Sequence, residues 1–138
     1  MTLYENDLPP AVYNALRESV GWTPHPADRA APALARSLYT VTARIGDTPI
    51  GMARLVGDGL YMLLVDVAVA PAWQGRGVGQ ALVAQTLFWA RRSLPAGARA
   101  TVLLASAAGK EGFYARFGFR PLPSPACGPG MELRLGGL

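Results

Sequence analysis

The segment with the most chemistry in it is Asp66-Val67-Ala68-Val69-Ala70-Pro71-Ala72-Trp73-Gln74-Gly75-Arg76-Gly77-Val78-Gly79-Gln80. An apolar run ends in a turn with three alternating glycines, and the turn opens a long helical pattern. The first N–H groups of a helix have no partner within it and carry partial positive charge, so a helix start attracts anions. Glycine lets the backbone approach a phosphate with no Cβ in the way, and Arg76 adds a full charge. The turn is suited to a diphosphate. Two familiar phosphate loops do not fit it. A mononucleotide P-loop ends in Gly-Lys-Ser/Thr, whereas Gly79-Gln80-Ala81 lacks both the lysine and the hydroxyl. A dinucleotide turn is Gly-x-Gly-x-x-Gly after a first parallel strand, with an acid about 20 residues on. Here the third glycine is out of place, and the expected acid is missing.

Other reactive side chains are few. Tyr114 sits in Phe113-Tyr114-Ala115-Arg116-Phe117-Gly118-Phe119 and could donate a proton, since a phenol with pKa near ~10 is neutral at physiological pH. Asp66 is the only acid near the glycine turn. Alternation along a strand turns it away from the face of Val67 and Val69, toward a substrate or over a bulge. Trp22 is a candidate wall for a substrate site. His25, between two prolines, reads as exposed. Cys127 has no histidine partner to activate it, and Lys110 reads as a solvated residue at a helix end. One cysteine and one histidine exclude an internal disulfide and make a metal site unexpected.

The elements that must position these groups follow from hydrophobic period and turn residues. Leu3–Glu5 reads as a first strand. Helices are expected over Asp7–Val20, with Val12, Ala15, Leu16 and Ser19 at helical spacing, and over Asp28–Ser37. Apolar runs Leu38–Arg44, Pro49–Val56 and Leu60–Ala70, separated by Asp47 and by Gly57-Asp58-Gly59, form an antiparallel meander. From Gly77 to Arg92 the repeat of Leu82, Val83, Thr86, Leu87 and Ala90 is that of an amphipathic helix. A buried strand over Ala100–Ala105, a short helix over Gly109–Phe117 with Gly118 as its left-handed cap, and two closing strands over Phe119–Leu122 and Met131–Leu135 complete the order. This is an α/β fold with a mixed, mostly antiparallel sheet of six or seven strands and about four helices. Residues 1–138 read as a single domain.

Composition agrees. The chain has 138 residues, 51% hydrophobic and 16% charged, so it can bury a core. No apolar run is long enough for a membrane span and no leader is evident, which with the lone cysteine suggests the cytoplasm. The net charge of +4 is uneven: residues 1–69 carry five arginines against seven acids, and residues 70–138 eight cations against two. The basic half calls for an anionic ligand. Nucleic acid is not expected, because the cations are isolated and no exposed aromatics alternate with them on a strand.

Gln74-Gly75-Arg76-Gly77-Val78-Gly79 resembles the Gln/Arg-x-x-Gly-x-Gly/Ala signature of the GNAT superfamily of N-acetyltransferases. Val67-Ala68-Val69-Ala70-Pro71 is similar to the family's Val-x-Pro lead-in, and the run from Tyr114 to Phe119 to its Tyr-x-x-x-Gly-Phe segment. The resemblance implies splayed strands with acetyl-CoA, as co-substrate, lying in the gap. It assigns the backbone of Val67, Ala68 and Val69 to the pantetheine and thioester. The N–H groups of Gly75, Arg76, Gly77, Val78, Gly79 and Gln80 would hold the diphosphate, with Gln74 ordering the turn. It implies direct attack by a primary amine through a tetrahedral intermediate, Tyr114 as general acid, and Asp66 and Trp22 on the acceptor side. A glutamate found earlier on this strand in several members is missing, as is the asparagine before the tyrosine helix. The general base is therefore open, a side chain or a water chain. The acceptor would be a small-molecule or peptide amine, and the weakly acidic first half suits a cationic one. Homodimers occur in the family, though no interface is legible. The competing reading is a non-catalytic acyl-CoA-binding or sensing module, which would not need Tyr114.

Overall fold

The computed structural model describes all of residues 1–138. The order is β1 (Thr2–Glu5), α1 (Pro10–Ser19), α2 (Ala27–Ala35), β2 (Tyr39–Ile45), β3 (Thr48–Gly57), β4 (Tyr61–Val69), α3 (Val78–Ser93), β5 (Thr101–Leu103) and α4 (Glu111–Ala115), with a single 3-10 turn at Pro71–Trp73. Two compact units result, residues 1–104 and 105–138.

In the first unit the strands lie in chain order, β1-β2-β3-β4-β5. The first four are antiparallel neighbours. β5 is parallel to β4, as it must be after a crossover through a helix. The turns use the residues expected of them. Gly46 and Gly59 have positive φ, and the Asp58 carboxylate accepts from the N–H groups of Leu60 and Tyr61.

Helices cover both faces of this sheet. Met52 and Ala68 pack with Leu8, Tyr13, Leu16 and Ala30 beneath α1 and α2. On the other face α3 buries Val78, Leu82, Val83, Thr86 and Ala90. It comes so close at Gly51 that an added Cβ would lie 3.0 Å from Leu82 Cδ1 and 3.1 Å from Ala68 O. Glycine is needed there for approach rather than for φ.

Several expectations are corrected. The sheet has five strands, not six or seven. Phe119–Leu122 and Met131–Leu135 are not strands; the tail contains only an isolated bridge between Ser124 and Cys127. Pro121, Pro123, Pro125 and Pro129 remove donors that a ladder would use, and Met131, Leu133 and Leu135 are 98%, 81% and 86% exposed. β5 is three residues long and partly exposed rather than a buried six-residue strand. On α1 the buried residues are Tyr13 and Leu16, while Ala15 and Ser19 are exposed. The inward face is thus rotated from the one that aliphatic spacing suggested.

The second unit holds α4 and the tail. Phe113 meets Tyr114 edge-on at 5.0 Å and Phe117 at 5.4 Å, and Tyr114 meets Phe119 at 6.1 Å. Gly118 takes φ +97 just past the helix, a conformation that favours glycine.

Candidate active site

The glycine turn is a row of unused donors. Gly75 and Gly77 adopt φ of +74 and +83, and Gly77 is the residue before the first turn of α3, with no side chain capping that end. The first backbone bond of the helix runs from Ala81 N–H to Gly77 O. The N–H groups of Gly75, Arg76, Gly77, Val78, Gly79 and Gln80 therefore find no acceptor within the chain, six in succession at the positive end of a 16-residue helix. Apart from Val78 these residues are exposed or half-exposed. Arg76 lies over the Trp73 ring at 5.2 Å. Gln74 donates from Nε2 to Val69 O at 2.9 Å, tying the turn back to the end of β4.

β4 supplies a second set of free groups. β5 pairs only with Tyr61, Met62 and Leu63, so no strand follows Leu64–Val69 on the side away from β3. Ala70 donates to Ile50 O. By the antiparallel alternation, both amide groups of Val69, opposite Gly51, then point to this open edge, where its carbonyl is already taken by Gln74 and its N–H is free. Ala68, between Val67 and Val69, pairs with Met52 and buries its side chain under α1 and α2.

The regular pleat breaks at Asp66. Arg54 pairs with Val65 but Met52 with Ala68, so β4 spends one residue more than β3 over this stretch. That is a β-bulge. Asp66 takes φ +55, a left-handed conformation that aspartate tolerates better than most residues. Its carboxylate points into a cluster made by α1 and β3. Oδ1 accepts from Arg17 Nη1, and Oδ2 accepts from Arg54 Nε and Tyr13 Oη, each at 2.9 Å. The side chains of Arg17, Arg54 and Asp66 are 15%, 16% and 10% exposed. Burial, and then the neighbouring carboxylate, push the Tyr13 phenol above its ordinary pKa, so Tyr13 stays a neutral donor.

An aromatic wall surrounds the cluster. Arg17 lies over the rings of Tyr13 at 5.6 Å and Trp22 at 5.5 Å, Arg54 over Tyr13 at 5.8 Å, and His25 stacks on Tyr13 at 6.3 Å. The loop carrying Trp22 and His25 is pinned by Arg17 Nε to Thr23 O and by Asn14, whose side chain bonds both backbone groups of His25.

The first unit thus brings together Trp22, Asp66, Val67–Val69 and Gln74–Gln80. Tyr114 belongs to the second unit, half-buried on α4, where burial raises its pKa and keeps the phenol protonated at neutral pH. Sequence reasoning missed Tyr13, Arg17 and Arg54. Two signals were available: Tyr13 and Arg17 stand four apart on one helix, and Arg54 is a lone charge inside an apolar strand, which demands a buried partner.

Comparison with known proteins defines the class. The model of the acetyltransferase (GNAT) domain matches residues 36–121. An uncharacterized N-acetyltransferase, ycf52-like, from Prochlorococcus marinus is 38% identical over 77 residues, which are 52% of this chain and 43% of that protein. The chain therefore spans less than half of that relative's length. A solved protein of unknown function from meticillin-resistant Staphylococcus aureus, described as a probable acetyltransferase, superposes with TM-score 0.81 at 28% identity, over 97% of this chain and 100% of its own. A GNAT-family acetyltransferase from Streptococcus pneumoniae gives 0.79 at 28% identity, over 96% and 97%. A Mycobacterium tuberculosis protein solved in complex with CoA shares the fold, with TM-score 0.70 at 20% identity over 89% and 74%.

The chain belongs to the GNAT acetyltransferase family, whose general chemistry is acyl transfer. No helix is long and apolar enough to cross a membrane.

Proposed function

We propose that this protein is an acetyl-CoA-dependent N-acetyltransferase that moves an acetyl group to a primary amine. One observation carries the reading: six successive unpaired N–H groups, Gly75–Gln80, stand at the start of α3 beside the open edge of β4. A diphosphate satisfies the first set and a pantetheine arm, itself a chain of amides, can take the place of a strand along the second. Val67, Ala68 and Val69 form the strand side of that groove. Gln74 holds its corner through Val69 O.

The family match supports the following reaction. Backbone amides fix the thioester. The amine lone pair attacks its carbonyl carbon, and a C–N bond forms as a tetrahedral intermediate. Collapse breaks the C–S bond, and the departing thiolate takes a proton from the Tyr114 phenol. The surplus proton on nitrogen leaves through water, because both carboxylate oxygens of Asp66 are already taken up by two arginines and a tyrosine. Trp22 and Asp66 border the acceptor side, and no step requires a metal. The reading takes residues 1–138 as one acetyltransferase domain, as the family match across both units supports, working in the cytoplasm where its free, exposed Cys127 stays reduced. Homodimerisation is compatible with it.

Titration calorimetry with acetyl-CoA, followed by thiol detection across a panel of amines, tests the proposal. Micromolar binding with turnover of at least one amine is expected. Binding with no turnover would leave an acyl-CoA sensor, and absence of binding would refute both.

A further inference from the structure

The cluster around Asp66 holds more positive charge than it needs. Two guanidinium groups, each about five-sixths buried, face one carboxylate, and that carboxylate is the one acid paired with either of them. Burying an unmatched charge is costly, and a site that tolerates it does so most readily when an anion completes it. The donors are also unfinished. Arg17 spends Nε on Thr23 O and Nη1 on Asp66 and Tyr13, and Arg54 spends Nε on Asp66 and Nη1 on Ser37 Oγ. Each keeps Nη2 without an acceptor in the chain. Asp66 sits one residue before the strand segment assigned to the thioester, so a ligand at this cluster would lie next to the reacting carbonyl.

We propose that the acceptor is an amine that also bears a carboxylate, such as an amino acid or a short acidic peptide, and that Arg17 and Arg54 hold that carboxylate while Tyr13, Trp22 and His25 wall its apolar part. This rests on the acetyltransferase reading and replaces the cationic acceptor suggested by the acidic first half. The summed charge of residues 1–69 misleads, because Asp66 is the acid closest to the acceptor side and its charge is already taken up. Asp66 is a positioning residue here, fixing both guanidinium groups. Arginine suits the task, as its planar fork matches a carboxylate and stays charged.

The test uses the full chain with two probes, N-acetylglycine and its neutral amide N-acetylglycinamide, and reads binding by titration against the Trp and Tyr signals in NMR. The acid is expected to bind at least about tenfold more tightly than the amide, as one charge-assisted contact gives. Arg54→Gln should remove the gap and Arg54→Lys retain most of it. Equal affinities in the wild-type protein, or no detectable binding of the acid, overturn the proposal without requiring any variant to fold. Acetyl-CoA affinity measured on the same samples reports separately on the acetyltransferase reading. Its loss with the acid–amide gap intact would sink that reading and spare the anion site.

Discussion

Gly77 offers the sharpest test of the diphosphate cradle, because strain and charge can be separated there. Its φ of +83 is a left-handed conformation, and an added Cβ would meet nothing within 4 Å. Gly77→Ala should therefore cost only the left-handed strain, about 1–2 kcal/mol, which for a chain this long lowers the melting temperature by roughly 4–10 °C. Gly77→Glu carries the same strain and adds a carboxylate beside the six free N–H groups. At about 6 Å from one phosphate charge, with an effective dielectric of roughly 20–60, the repulsion is about 1–3 kcal/mol. That converts to acetyl-CoA binding about fivefold to a hundredfold weaker than in Gly77→Ala. Calorimetry on both variants below their melting temperatures measures the difference. If Gly77→Glu binds within about twofold of Gly77→Ala, no diphosphate sits at the start of α3 and the mechanism built on it fails.

Tyr114→Phe should lower kcat by about 10²–10⁴ while leaving acetyl-CoA affinity unchanged. With the phenol pKa raised by burial, the wild-type rate should hold to alkaline pH and fall only above the ordinary tyrosine range, and pH–rate profiles of both proteins would show that limb missing in the variant. Asp66→Asn leaves Arg17 and Arg54 without their anion and should cost about 2–4 kcal/mol in urea unfolding; an unchanged midpoint would mean the cluster contributes nothing to the fold. The Tyr39 hydroxyl is buried near the side chains of Gln85 and Glu5 without a well-formed hydrogen bond to either, and its pKa is pushed up to about 12, chiefly by burial. The neutral phenol is favoured in the folded state, so that stability is present below pH 10 and is lost as pH rises from 10 toward 12. Tyr39→Phe should be neutral or mildly stabilising at pH 7 and should flatten this alkaline loss, as melts across that range would show.

The meander and α3 were legible because their signals are local. Asp58 and the glycines mark turns where they stand, and Leu82, Val83, Thr86 and Ala90 repeat with the helical period. The glycine turn was legible for the same reason, since both its conformation and its donors belong to one short segment. The Asp66 cluster was not, because Tyr13, Arg17, Arg54 and Asp66 come from three elements and meet only when the sheet is assembled. Alternation offered a bulge at Asp66 as one of two readings but could not name the partners of its carboxylate. In the tail, the alternation of Met131, Leu133 and Leu135 suggested a strand, yet a strand exists only where a neighbour accepts its hydrogen bonds, and four prolines precede it.

The extra residue at Asp66 sets a limit on how this chain can change over evolutionary time. Upstream of it the hairpin loop between β3 and β4 can lengthen or shorten freely. Between Leu64 and Ala70, however, losing one residue would restore an even pleat and swing Ala68 from one side of the sheet to the other, out of its contact with Met52 and into the helix that Gly51 already admits so narrowly. Related chains should therefore vary in composition through this stretch but keep its length.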